Sequence, residues 1–177
     1  MKEHRKPGWT TAVNRLAMIF FMVWALLLSA AEQAAAGQWL LGTLCIDGET
    51  GQRVYGERIT VFLTTEKLPI PHCQGIDTLE RHQRLDRINQ LHLDFYKAFA
   101  ARRNRSGYLI GHTESSDTGN FAFLDAPAGD YWVVVTFPAM INGHKVAWQQ
   151  KVTVTKGHVR HITLDEKNLA LPADRRE

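Results

Sequence analysis

The run DTGNFAFLDAPAGDYWVVV, from Asp117 to Val135, restricts the fold more than any other part of the chain. Asp117-Thr118-Gly119-Asn120 is a turn signal in which Gly119 can adopt positive φ, and Phe121 and Phe123 then fall on alternating positions. Pro127 and Gly129 punctuate the next turn, after which Tyr131, Val133, Val135 and Phe137 alternate again. A period of two places each apolar set on one face of a strand. The short connection predicts that the two strands pair as an antiparallel hairpin.

Matching pieces lie on either side. In WLLGTLCID, Trp39 to Asp47, the residues Leu40, Gly42, Leu44 and Ile46 alternate, and Asp47-Gly48-Glu49-Thr50-Gly51 is a glycine-bearing turn. Val54-Tyr55-Gly56 then steps into a strand carrying Ile59, Val61 and Leu63, and near the end Lys156-Gly157 precedes Val159, Ile162 and Leu164. Taken in order, these motifs, with Gly119, Phe121 and Pro127-Ala128-Gly129-Asp130-Tyr131, resemble the carboxypeptidase regulatory-like domain, a prealbumin-like relative of starch-binding β-sandwiches. The resemblance runs from Leu40 to Leu164 with one interruption. It departs from the family pattern at Arg53-Val54-Tyr55, which lacks the usual proline. It implies a mainly β chain: a seven-stranded antiparallel Greek-key β-sandwich.

The first 36 residues differ in kind. Lys2, Arg5, Lys6 and Arg15 precede the uncharged run Leu16 to Ala30, and Ala34 and Ala36 have the small-residue spacing of a signal-peptidase site. We read 1–36 as a signal peptide cut before Gly37, which places the mature chain in the periplasm or outside the cell. The competing reading is an uncleaved anchor, the one route by which this chain would touch a membrane. Glu32 and Gln33 close the run short of the roughly 20 apolar residues a span needs. Cleavage leaves 17 basic and 16 acidic side chains, a net of +1 in place of +3, so the charge does not point to nucleic acid. Residues 37–168 form the expected domain, with 169–177 as a disordered tail.

The interruption, 66–107, has its own period. Leu85, Ile88, Leu91 or His92, Phe95 and Phe99 recur at helical spacing, and Asp77 with Glu80 resembles a capping box, which predicts one amphipathic helix over 78–103. If the tyrosine face of the 131–137 strand is internal, Trp132 and Val134 point outward, as does Phe62 on its own strand. A soluble sheet does not usually leave such residues bare, so the inserted helix is expected to cover them; a membrane-facing or partner-binding helix is the alternative. Arg102, Arg103 and Arg105 stand at the negative end of the helix dipole, where they are either simply stabilising or an anion-binding cluster.

Cys45 and Cys73 are the two cysteines. In an oxidising compartment an even pair suggests a disulfide worth about 3 kcal/mol, with two separate thiols as the alternative. The sequence contains no phosphate-binding glycine loop, zinc-protease motif, nucleophile elbow or complete calcium loop. His158 and His161 would fall on opposite faces of a strand, and Ser115, Ser116 and Asp117 carry no spacing that defines a triad. No cofactor, metal site or enzymatic activity is expected. The resemblance also brings pilin-type sandwiches with lysine–asparagine isopeptide links to mind, but the strand Trp39–Asp47 has no lysine. Two functions stay open: an exported structural or protein-interaction module whose partner is another envelope or extracellular protein, or a carbohydrate-binding module for polysaccharide. Trp39 and Trp132 are the candidate contacts, together with Arg102, Arg103 and Arg105; Trp148 alternates with Val152 and Val154 and is expected in the core.

Overall fold

The structure is a computed structural model, and it describes residues 38–48 and 50–173. The expected signal peptide lies outside the described residues. Among the described residues, ten strands and one α-helix follow in chain order: β1 (Trp39–Asp47), β2 (Arg53–Tyr55), β3 (Thr60–Thr64), α1 (Arg81–Ala100), β4 (Leu109–Glu114), β5 (Asn120–Phe123), β6 (Gly129–Val135), β7 (Met140–Ile141), β8 (His144–Lys145), β9 (Trp148–Val154) and β10 (Val159–Leu164). Eight strands make two four-stranded sheets, and β7 and β8 form a separate two-stranded ribbon.

In the first sheet β1 is central. It pairs with β10 along Trp39 to Leu44, with β5 along Leu40 to Thr43 and with β2 along Cys45 to Asp47. The second sheet runs β4-β3-β6-β9 and is antiparallel throughout. Two expectations change here. The sandwich is not wholly antiparallel, because β1 and β10 are parallel, and the described strands exceed seven. Nor do β5 and β6 form a hairpin: β5 joins β1, whereas β6 joins β3 and β9. Phe121 and Phe123 meet Tyr131, Val133 and Val135 across the core instead of along an edge. Alternation reports which face is apolar, and both arrangements bury the same face.

The core between the sheets collects the residues that alternation predicts: Leu40, Leu44 and Ile46 from β1, Val61 and Leu63 from β3, the β5 and β6 sets, Trp148, Val152 and Val154 from β9, and Leu164. Trp148 is fully buried and its Nε1 donates to the Asp165 carbonyl at 2.8 Å, so its one polar atom is satisfied. Gly42 lies directly opposite Phe121, and the aromatic ring occupies the space a Cβ on residue 42 would need.

A second apolar layer sits on the outer face of the β4-β3-β6-β9 sheet. Ile88, Leu91, Phe95 and Phe99 of α1 pack there with Val134, and Phe62 and Trp132 are half-buried against them; Phe62 and Phe99 have ring centroids 4.5 Å apart. The helix therefore covers the apolar outer face, as its stripe predicts. It is shorter than expected: Ile76–Thr78 is a separate 3-10 turn, and Glu80, the residue before α1, makes no side-chain cap. Gln149 fastens the insertion to the sheet. Its Oε1 accepts from Leu68 N at 2.6 Å and its Nε2 donates to the Leu68 carbonyl at 3.0 Å, all in a buried setting. Gln149→Leu leaves both Leu68 backbone groups unpaired and is expected to cost about 2 to 3 kcal/mol, readable by urea unfolding.

The chain continues to pack past residue 168, where a tail was expected. Leu169 bridges to Trp148, Ala170 N donates to the Ala147 carbonyl, Leu171 is buried, and His92 Nε2 lies 3.0 Å from the Pro172 carbonyl.

The expected Cys45–Cys73 disulfide is not formed; both thiols are free. Leu44 and Ile46 face the core, so Cys45 between them faces outward from the first sheet, whereas Cys73 packs in the helix layer beyond the second. The sandwich, with sheets ~10 Å apart, stands between them, and a bridge needs Cα atoms within about 7 Å. Burial pushes both thiols above the ordinary value of 9.0, against weaker opposing pulls from Arg53 on Cys45 and Arg87 on Cys73. Alkylation of the folded protein at neutral pH is expected to be slow and to accelerate above pH 9, since the thiolate is the reactive form. Non-reducing peptide mapping is expected to show two unlinked cysteine peptides.

Candidate interaction surface

Alternation along β1 places Trp39, Leu41 and Thr43 on the face opposite the core. Register sets Val159 of β10 beside Trp39, His161 and Ala122 on either side of Leu41, and Thr163 and Asn120 on either side of Thr43. The rows grade from apolar to polar along the strand. Trp39 is 43% exposed, Val159 50%, and Leu124, which follows directly on β5, 63%. Leu41 and Ala122 are half-buried in the next row. Thr43 Oγ1 donates to Asn120 Oδ1 at 2.8 Å and fixes the polar end. A shallow groove of about 680 Å³ includes Leu41, Thr43, Asn120, Ala122, His161 and Thr163. No α-helix among the described residues covers this face, in contrast to the opposite sheet.

The other predicted contacts are divided by the structure. Trp132 is not on the Trp39 face: it belongs to the helix layer, half-buried, with Lys67 Nζ 5.4 Å from its ring centroid. The three arginines differ in their partners. Arg102 Nη1 donates to the Ala98 carbonyl at 3.0 Å, satisfying a helix-end acceptor, and Arg105 pairs with Glu66 at 3.4 Å. Arg103 makes no side-chain hydrogen bond or ion pair with a described residue. Glu80 lies 3.6 Å from His82.

Three chemistry-bearing residues, Ser115, His158 and Asp130, have structural partners. Ser115 Oγ donates to the Gly56 carbonyl at 2.6 Å and accepts from Ile59 N at 2.9 Å, which ties the β2–β3 connection to the end of β4. That hydroxyl is buried and fully engaged. His158 lies in the turn before β10 with Nδ1 2.9 Å from the Lys156 carbonyl, apart from His161. No group of three His, Cys, Asp or Glu suited to a metal ion occurs among the described residues. Asp130 is held below the ordinary carboxylate value by the Thr153 hydroxyl at 2.6 Å and by Lys151 at 2.9 Å, a surface arrangement on paired strands. No helix of the described residues is long and apolar enough to cross a membrane.

No protein-family model and no curated protein matches the chain. Among solved structures it is similar to GBS52, the minor pilin of Streptococcus agalactiae, at 12% identity and a TM-score of 0.41, covering 73% of this chain and 43% of that one. PA1324 of Pseudomonas aeruginosa, a suggested carbohydrate-binding protein, is similar at 17% identity and a TM-score of 0.41, covering 73% and 89%. BcpA, the major pilin subunit of Bacillus cereus, is similar at 10% identity and a TM-score of 0.37, covering 75% and 30%. These are distant likenesses among β-sandwich proteins. The chain spans less than half the length of either pilin. The carboxypeptidase regulatory-like family stays a resemblance of motifs.

Proposed function

We propose that this chain is an exported, non-catalytic β-sandwich module that holds another envelope or extracellular protein against the outer face of its β10-β1-β5 sheet. The observation that carries the reading is the asymmetry of the two outer faces. One is closed by α1, while the other presents Trp39, Val159 and Leu124 to solvent in one end of the sheet. Large apolar side chains gathered on an uncovered face mark an interaction site, and a tryptophan is the residue type most often found to dominate such contacts. The basic start of the chain, its apolar run and its small residues support export.

Capture of partners from the envelope fraction, run in parallel with wild type and Trp39→Ala, tests the reading. A protein recovered with wild type and lost with Trp39→Ala supports it; the same recovery with both contradicts it. A second reading, a polysaccharide-binding surface, is favoured by one feature: an exposed tryptophan on the same face as the polar row Thr43, Asn120, His161 and Thr163. Retention on immobilised polysaccharide that Trp39→Ala abolishes would select it.

A further inference from the structure

We propose a second binding site, separate from the Trp39 face, in the cleft between the C-terminal half of α1 and the β6–β7 connection, and we assign it an aromatic carboxylate as ligand. The cleft holds about 400 Å³, the lower end of the range for small-molecule sites. Tyr96 of α1 and Phe137 of the connection pack edge to face in its wall, with centroids 5.9 Å apart and an interplanar angle of 68°. Phe62 and Phe99 line it as well, and Met140 at its rim is 48% exposed. Such walls suit a flat apolar ring, because aromatic edges and faces offer stacking and a thioether adapts its shape.

The charge comes from Arg103. Its two neighbours are engaged, Arg102 with the helix end and Arg105 with Glu66, whereas Arg103 lines the cleft without a polar side-chain partner among the described residues. Glu57 and Arg58, which also line the cleft, pair with each other at 3.4 Å. Arg103 therefore supplies the unbalanced charge, and a guanidinium binds a carboxylate through two parallel hydrogen bonds. Thr136 completes the wall: it is 4% exposed, and its Oγ1 has no hydrogen-bond partner among the described residues. Ring and carboxylate in one ligand describe either a free aromatic acid or the C-terminal aromatic residue of a peptide.

The test is an NMR titration of the full chain with N-acetyl-phenylalanine and, separately, with N-acetyl-phenylalaninamide, which keeps the ring and loses the carboxylate. The expected result is saturable shifts at the Arg103 side-chain N–H and the Thr136 amide, with the amide binding at least ~10-fold more weakly, the effect of losing about 1.4 kcal/mol. Arg103→Gln is expected to abolish the difference between the two probes, and Phe137→Ala to weaken both. Arg103 is on the surface, so its replacement leaves folding intact. A tripeptide ending in phenylalanine decides the source: tighter binding than the single residue points to a chain terminus, equal binding to a free acid. Equal affinity for acid and amide, no shift with either probe, or discrimination surviving in Arg103→Gln would each overturn the proposal, whatever the outcome at Trp39.

Discussion

Phe95→Ala is expected to destabilise the protein by about 3 to 5 kcal/mol, the loss seen when a large aromatic is removed from a packed site. Phe95 is fully buried and stands in the middle of the α1 stripe, against the outer face of the β4-β3-β6-β9 sheet. Small domains hold only about 5 to 15 kcal/mol in total, so such a loss would lower the melting temperature by many degrees. Partner recovery at a temperature where the variant is still folded is expected to match wild type, because the helix acts as a cover. An unchanged melting temperature with loss of the partner would make α1 the contact surface and set aside the structural role given to it here.

Gly119→Ala is expected to cost about 4 kcal/mol or more, through two effects that add at one position. Gly119 has φ of 71°, where a Cβ is strained by roughly 1 kcal/mol or more, and that Cβ would stand close to the backbone carbonyl oxygen of Leu44 and 3.1 Å from Tyr55 Cβ. A backbone oxygen in a central strand has no room to retreat, since Leu44 also donates to the Gly119 carbonyl and accepts from Gly56. Gly107→Ala separates the effects. Its φ is 75° and no atom lies within 4 Å of the added Cβ, so strain alone applies and a loss near 1 kcal/mol is expected. Equal losses in the two variants, measured by urea unfolding, would mean that crowding at Gly119 is not what the structure implies.

The faces of the strands and of the helix were legible from period alone. Tyr131, Val133 and Val135 are in the central core and Trp132 and Val134 look toward α1, as alternation requires, and Ile88, Leu91, Phe95 and Phe99 are buried along one stripe. Pairing was not legible. Phe121 and Phe123 bury the same atoms whether β5 lies beside β6 or across the core from it, and only the register with β1 distinguishes the two. The β7–β8 ribbon carries a signal in the sequence: Asn142-Gly143, with φ of 50° and 79°, is the two-residue hairpin turn that the pair Asn-Gly favours.

The two cysteines failed as a predictor for a different reason. Composition says that a pair exists, but which face each thiol occupies depends on the parity of β1 and on where the insertion lies. Trp39 and Trp132 were both candidate contacts, and the helix expected over Trp132 is in place, which leaves Trp39 as the exposed one of the two. The arginines behaved likewise. Their position at the end of α1 was plain from sequence, but their partners depend on the fold: Ala98 and Glu66 engage Arg102 and Arg105, and Arg103 is left over a cleft.

Site-specific photo-crosslinking in the native envelope tests the central claim most directly, with the photoreactive residue p-benzoylphenylalanine placed at position 39 in one variant and at position 93 in another. Leu93 is the exposed apolar residue on the solvent side of α1 and Trp39 the exposed aromatic of the β10-β1-β5 sheet, so both tolerate the change. The account predicts a discrete protein adduct from position 39 and none from position 93; an adduct from position 93 alone would contradict it.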